Sequence, residues 1–264
     1  MNGDAVPALV AGSDPHSEPG FGRQLLADAS RDWDLPWQTV LAIAVMPFGV
    51  MLAGAAAALA GKGVYKWFTH EDGCAEWLQV VFDSGALVLG ALCTQHLQRQ
   101  GRRGAAALYA LVCLGLVFVL GEELSWGQRI FGWGTPETFV AANKQEETNL
   151  HNIYGVGEMF KWIQLLVGAY GTLLPLLVLG RELSPRQRDW ARLVVPHWLL
   201  IPYFAPLCVW RFYRNLFEPP QRFYYVIAEY NEVLELALAM ALFLFMLYQL
   251  RAWRRLPDGA PAGA

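Results

Sequence analysis

Six long apolar stretches constrain the fold of this chain more than any other feature of its sequence. Each approaches the roughly 20 apolar residues that a helix needs to cross a bilayer. They lie at about residues 37–60, 76–97, 105–121, 160–179, 193–210 and 233–250. The predicted fold is therefore all-α, a polytopic transmembrane bundle of about six membrane-spanning helices.

Composition agrees with a chain that lies mostly in lipid. Of its 264 residues, 55% are hydrophobic and 16% are charged, whereas about a quarter of a soluble domain is charged. The net charge of −3 and the absence of a basic stripe argue against a nucleic-acid partner. Membrane lipids are the predicted partners, and the sequence leaves protein partners unknown. The four cysteines are scattered and are typical of small apolar filler.

The apolar pattern also predicts the domain organisation. Residues 1–35 are expected to be a disordered or interfacial tail, because the first 20 are rich in turn formers. Within that tail, residues 21–33 have the pattern of a short amphipathic helix on the membrane surface. Residues 36–255 are predicted to form a single transmembrane domain, and residues 256–264 a second disordered tail.

Basic residues orient the predicted bundle. The short connection 98–104 carries Arg99, Arg102 and Arg103 and no acid, and connections rich in arginine tend to lie in the cytoplasm. We therefore expect a multi-pass protein of the bacterial inner membrane with both termini cytoplasmic. The polar-rich segments 70–76, 122–151, 211–218 and 229–235 then all lie at outer helix ends, where residues distant in sequence converge.

Residues 121–152 hold the densest polar chemistry in the chain. Ionisable groups at membrane depth are costly and indicate a functional site. Glu122 and Glu123 end the third span, where a carboxylate opposes the helix dipole. Arg129, a metal ion or a raised pKa could compensate, and a purely structural salt bridge to Arg129 or Arg211 is the alternative.

A short helix is predicted after the third span. Thr135, Pro136 and Glu137 have the pattern of an N-cap, a first-turn proline and a first-turn acid. This helix should lie along the membrane interface, with neighbouring aromatic side chains at the level of the lipid headgroups.

Glu147 and His151 are four residues apart and would share one helical face with Glu158 if the next helix continued through Gly155. A carboxylate and an imidazole at this spacing can ligate one metal or transfer a proton. The other interpretation of His151 is a hydrogen-bonding structural role. The predicted catalytic residues are Glu122, Glu123, Glu147 and His151.

Two further sets of residues complete the predicted site. The substrate-binding candidates carry cationic, aromatic or amide side chains: Arg129, Arg211, Arg214, Trp126, Gln128 and Asn149. Arg211 and Arg214 could clamp a phosphate or carboxylate, or could be interfacial anchors. The metal-ligand candidates are Glu122, His151, Glu232, Glu235 and Asp83. Imidazole with carboxylates suits zinc, manganese or iron, so a divalent metal is the candidate cofactor.

The central motif also carries a family resemblance. GEELSWGQRIFG followed by QEETNLHN, with an upstream EDGxxEW and a downstream ExxExxE, resembles a family of bacterial polytopic membrane proteins of unknown function. The resemblance covers residues 71–235. It implies the membrane class and assigns no catalytic role.

Three functions fit this pattern. The first is a membrane enzyme, with or without a metal ion, whose acid and histidine site acts on a lipid or lipid-linked substrate; neither GxSxG nor HExxH occurs in the sequence. The second is a proton- or cation-coupled transporter or channel, and the third is a membrane scaffold without catalysis.

Overall fold

The computed structural model describes residues 20–70, 72–143 and 147–255, and within them it is all-α. Six helical segments are long and apolar enough to cross a membrane, which confirms the predicted fold class and makes the chain a polytopic membrane protein. The predicted tails fall largely outside the described residues, since these begin at Gly20 and end at Arg255.

The helices are numbered in the order in which they occur along the chain. Their bounds are α1 Phe21–Trp33, α2 Trp37–Ala60, α3 Lys62–Thr69, α4 Cys74–Arg99, α5 Arg103–Glu123, α6 Gln128–Phe131, α7 Glu137–Ala142, α8 Val156–Val178, α9 Pro185–Val194, α10 Ile201–Leu216 and α11 Tyr224–Arg254. Short 3-10 turns occupy Ser125–Gly127, Trp198–Leu200 and Gln221–Phe223.

The chain divides after Leu41, inside α2, into two compact units. In the first unit, α1 has the bounds that the sequence predicts for its amphipathic helix. It ends where Asp34 adopts a left-handed conformation and its N–H bonds to Arg31 and Ser30 carbonyls, a common way to close a helix. The location of α1 on a membrane surface stays a prediction, as does the boundary at residue 35.

In the second unit, α4 packs between α11 and α5, while α10 packs on α8 and α11. Small residues allow the close approach of α8 to α10. A Cβ on Gly171 would lie 2.1 Å from the ring of Phe204, and one on Gly168 would lie 2.8 Å from the backbone nitrogen of Cys208. Such small residues let membrane helices come into backbone contact.

The fifth span differs from the continuous helix predicted over residues 193–210. It is divided into α9 and α10, because Pro196 holds the preceding Val195 in an extended conformation. A capping box between Ser184 and Gln187 starts α9, and the His197 Nδ1 atom accepts the Leu199 N–H at 3.2 Å where the chain resumes its helical path. Both parts together supply the length of the span.

The order of the spans places one set of helix ends on a common side. Here α4, α8 and α11 begin, and α5 and α10 end. We call this side the site face, because the predicted site residues lie at or near it. Which side of a membrane it faces stays a prediction.

Cysteine labelling tests the predicted orientation. We expect a cysteine at Ala141, an exposed position of α7 on the site face, to react with an impermeant thiol reagent in intact cells. A cysteine at Gln98, at the opposite end of α4, should react only after the cells are opened. Both are placed in a background in which the native cysteines are replaced. Labelling of Gln98→Cys alone in intact cells would reverse the orientation.

Candidate functional site

The Glu122 carboxylate, in the last turn of α5, is bound by four hydrogen-bond donors. Its Oε1 atom accepts the Trp126 indole N–H at 2.7 Å. Its Oε2 atom accepts the backbone N–H groups of Leu150 at 2.7 Å and His151 at 2.8 Å, and it lies 3.3 Å from His151 Nδ1. These donors offset the unfavourable helix dipole. For Glu122, they take the place of the salt bridge to Arg129 or Arg211 that was the alternative interpretation.

A tight reversal of the backbone after α5 places Trp126 against Glu122. Ser125, Trp126 and Gly127 have φ values of 46°, 54° and 95°, in the left-handed region that costs a residue with a side chain roughly 1–2 kcal/mol. The indole ring returns to the last turn of α5, where a Cβ on Gly121 would lie 3.0 Å from it. The hydrogen bond from Trp126 to Glu122 stabilises this strained turn.

Arg129 forms the second centre of the site. Its Nη1 atom binds the Glu76 carboxylate at the start of α4 and lies 3.5 Å from Asp72, and its Nη2 atom lies 3.2 Å from Glu147. Burial lowers the pKa of the guanidinium, but Glu76 and Glu147 raise it by more. Arg129 is therefore a fixed cation that ties the segment after α5 to α4.

Glu147 and Asn149 belong to the same network. Glu147 accepts the Ser125 hydroxyl at 2.7 Å and the Asn149 amide at 2.9 Å. The Asn143 amide in turn donates to the Asn149 side-chain oxygen at 2.8 Å. Asn149 is buried, and its contacts are all internal hydrogen bonds, so the structure gives it a positioning role instead of the predicted contact with substrate.

Gln128 also holds the segment together. Its oxygen accepts the Thr148 N–H at 2.9 Å, and its amide donates to the Thr135 hydroxyl at 2.6 Å. The short helix predicted after the third span is present as α7, but its N-cap is Pro136. Thr135 does not cap it, because its hydroxyl bonds to Gln128.

Glu147, His151 and Glu158 do not share a helical face, because the continuous helix on which that interpretation depended is not formed. Residues 147–155 form turns, and α8 begins only at Val156. Gly155 has φ +84°, which a continuous helix does not allow. Glu147 therefore binds Arg129, while His151 binds Glu122. Residues 144–146, which belong to the same motif, lie outside the described part of the chain, as does Glu71.

His151 is more accessible than its partner Glu122. Its side chain is 33% exposed, whereas the Glu122 side chain is 4% exposed. Burial lowers the pKa of the imidazole, but the hydrogen bond with Glu122 and the charges of Glu123 and Glu235 raise it by more. The net result is a pKa above its ordinary value of 6.5. The contact between Nδ1 and Glu122 leaves the Nε2 edge of the ring for another partner.

Further carboxylates lie on the long helices α4, α5 and α11. Asp83 is buried and one of its oxygens has no hydrogen-bond partner among the described residues. Glu123 interacts electrostatically with Asp83 and Glu235. Glu232 accepts the Gln79 amide at 3.3 Å. Side chains from α4, α5 and α11 thus interact with one another, as the predicted convergence of these helix ends requires.

The two arginines of α10, Arg211 and Arg214, contact different partners. Arg211 is buried, and its Nη2 atom lies 3.5 Å from Glu235, which also accepts the Gln164 and Asn231 amides. Arg214 lies over the Tyr224 ring, 5.6 Å from its centre. The two cations do not share one target, so no phosphate clamp is formed by them in this structure.

The predicted metal ligands are divided between two sets of contacts. Glu122 and His151 bind each other, while Asp83, Glu232 and Glu235 lie within the spans. Among residues 20–70, 72–143 and 147–255, no three or more His, Cys, Asp or Glu side chains are grouped to hold a metal ion. The geometry therefore gives the metal hypothesis no support.

Sequence reasoning missed several polar partners. Gln164 and Asn231 bind Glu235, and Ser125 binds Glu147. For Gln164 and Asn231 the sequence did carry a signal. Each is a side-chain amide inside an apolar span, and such a group needs a hydrogen-bond partner there.

Comparison with known proteins adds no assignment. Searches against models of protein families, curated proteins and solved structures gave no match. The interpretation of the site therefore rests on its own geometry.

Removing Arg129 should destabilise the site strongly. Its side chain is 10% exposed, and deleting one partner of a buried ion pair typically costs about 3–5 kcal/mol. We expect Arg129→Gln to lower the free energy of unfolding by that order in a mixed-detergent titration. The matched control is Lys161→Gln, which removes an exposed pair with Glu158 and should cost under about 1 kcal/mol. Equal losses would contradict a buried network.

The pair of His151 with Glu122 predicts a pH-dependent stability. Because folding raises the pKa of His151 above 6.5, its stabilisation is complete below pH 6.5 and is lost as pH rises through the folded value. The measurement is the free energy of unfolding against pH for the wild type and His151→Gln. The difference between them should shrink with rising pH, and a difference that grows would contradict the pairing.

Proposed function

We propose that this membrane protein is an enzyme in which His151, oriented by Glu122, is a general acid–base. The observation that carries this proposal is the contact of His151 Nδ1 with Glu122 Oε2 at 3.3 Å. A carboxylate on one nitrogen fixes the tautomer and orientation of an imidazole, and the other nitrogen can then transfer a proton. The raised pKa of His151 keeps its protonated form available near neutral pH.

The substrate we propose is a lipid or a lipid-linked molecule. The pair of Glu122 and His151 is called the dyad below. Exposed aromatic side chains lie along the segment between and after these two residues: Trp126, Phe131, Trp133 and Tyr154. Phe131 and Trp133 stack with their ring centres 5.4 Å apart. Aromatic side chains are enriched at the level of lipid headgroups, so this position favours a substrate that lies in the membrane interface. No metal ion is needed for the proposed proton transfer.

Its location is proposed on the arginine pattern of the sequence. With both termini in the cytoplasm of a bacterial inner membrane, the site face would lie outside, and the dyad would act on the outer leaflet. The resemblance to bacterial polytopic membrane proteins supports the same setting. The cysteine-labelling experiment tests it separately from the chemistry.

A second candidate function is proton- or cation-coupled transport. It is favoured by the carboxylates within the spans, because ionisable groups there commonly mark ion pathways. A third candidate is a scaffold, favoured by the internal contacts that join Arg129, Glu147 and Asn149. The dyad favours the enzyme over both, since its imidazole keeps an exposed edge.

Lipid turnover in reconstituted vesicles tests the enzyme. Wild-type protein in vesicles of bacterial total lipid extract should change the lipid composition over time, as followed by mass spectrometry. We expect His151→Gln and Glu122→Gln to slow that change on the order of 10²-fold or more, as is typical for loss of a general acid–base.

The matched control is His96→Gln, which replaces a histidine at the opposite end of α4 and should leave the rate unchanged. A wild type that alters no lipid, or a rate that His151→Gln does not lower, would contradict the proposal. A pH gradient that dissipates only in wild-type vesicles would favour the transporter.

A further inference from the structure

Four carboxylates from three helices interact electrostatically with one another. Asp83 belongs to α4, Glu123 to α5, and Glu232 and Glu235 to α11. Glu235 interacts electrostatically with each of the other three. At 1.5 Å per residue, Asp83 is about 14 Å along α4 from its first residue. We call these four residues the carboxylate cluster.

The charges around the cluster do not balance if every member is ionised. Arg211 lies at ion-pair distance from Glu235, and within the described residues no cation contact of that kind is found for Asp83, Glu123 or Glu232. Arg211 also interacts electrostatically with Glu232 and with Arg214. His151 interacts with Glu123 and Glu235 and could offset one further charge. Glu76 adds another acid near Glu123 and Glu232, but Arg129 binds it.

Asp83 is the buried member of the cluster that has an unpaired oxygen. It is 4% exposed, and its Oδ1 atom has no hydrogen-bond partner in the described residues. An ionised carboxylate costs several kcal/mol to bury without compensation, and carboxylates that share a site rarely ionise together. We infer that Asp83, Glu123, Glu232 and Glu235 form a proton-binding site within the membrane span, with at least one member protonated at neutral pH.

The amides beside Glu235 support a proton as the ligand. Gln164 and Asn231 donate to Glu235, yet the carbonyl oxygen of each is buried without a partner among the described residues. A protonated carboxyl group is a hydrogen-bond donor, whereas an ionised one only accepts. A half-turn of either amide would let its oxygen accept a hydrogen bond from a protonated Glu235, so the same residues can serve both protonation states. A metal ion has no such group of ligands in the described residues.

Infrared spectroscopy of the whole protein tests this inference, which does not depend on the proposed enzyme. The C=O stretch of a protonated carboxyl group is resolved from the bands of carboxylates. We expect the wild type at neutral pH to show this band, and Asp83→Asn or Glu235→Gln to reduce it. The control Glu137→Gln replaces an exposed carboxylate on α7 and should leave the band intact.

Two results would overturn the site. The first is a wild type without the band at neutral pH, which decides the question even if the variants fail to fold. If sodium then stabilises that protein thermally and Asp83→Asn abolishes the effect, the cluster binds a metal cation instead. The second is a band that no substitution within the carboxylate cluster reduces. Lipid turnover could still fail or succeed in each case.

Discussion

A carboxylate at the end of a membrane helix has to find hydrogen-bond donors, and the Glu122 side chain does so from 4, 28 and 29 residues later in the chain. The backbone carbonyls at a helix C-terminus already carry partial negative charge. Donors from Trp126, Leu150 and His151 offset that charge and close the segment after α5 into a compact turn. The position of His151 therefore depends on Glu122 twice, through its backbone and through its ring.

The class of fold could be predicted because length and hydrophobicity are sufficient to identify a membrane span. The convergence of polar segments follows from the alternation of the spans, so Asp83, Glu123 and Glu235 could be placed near one another without a structure. The pairing of each acid could not be predicted in this way. Arg129 was one of the groups that sequence reasoning named to compensate Glu122, but Arg129 binds Glu76 and Glu147.

The partners of Glu122 could not be identified from the sequence for a physical reason. Half of the donors to Glu122 are backbone N–H groups, which every residue except proline carries and which no sequence motif identifies. They reach Glu122 because Ser125 and Trp126 adopt left-handed conformations that neither residue type favours. Gly155 gave a usable signal against a continuous helix, and Pro196 gave one against a continuous fifth span. Glycine and proline constrain the backbone, whereas the partners of a carboxylate depend on the folded chain.

The polar groups of the site face fall into two sets. Around Arg129, one buried cation lies at ion-pair distance from Glu76, Glu147 and Asp72, so direct ion pairs hold that set together. In the carboxylate cluster, Arg211 lies at ion-pair distance from Glu235, and the described residues supply no such contact to Asp83, Glu123 or Glu232. His151 interacts with Glu122 and also with Glu123 and Glu235 of the cluster. A proton that enters or leaves the carboxylate cluster must therefore change the electrostatic potential at the imidazole, even when no atom of the Arg129 network moves.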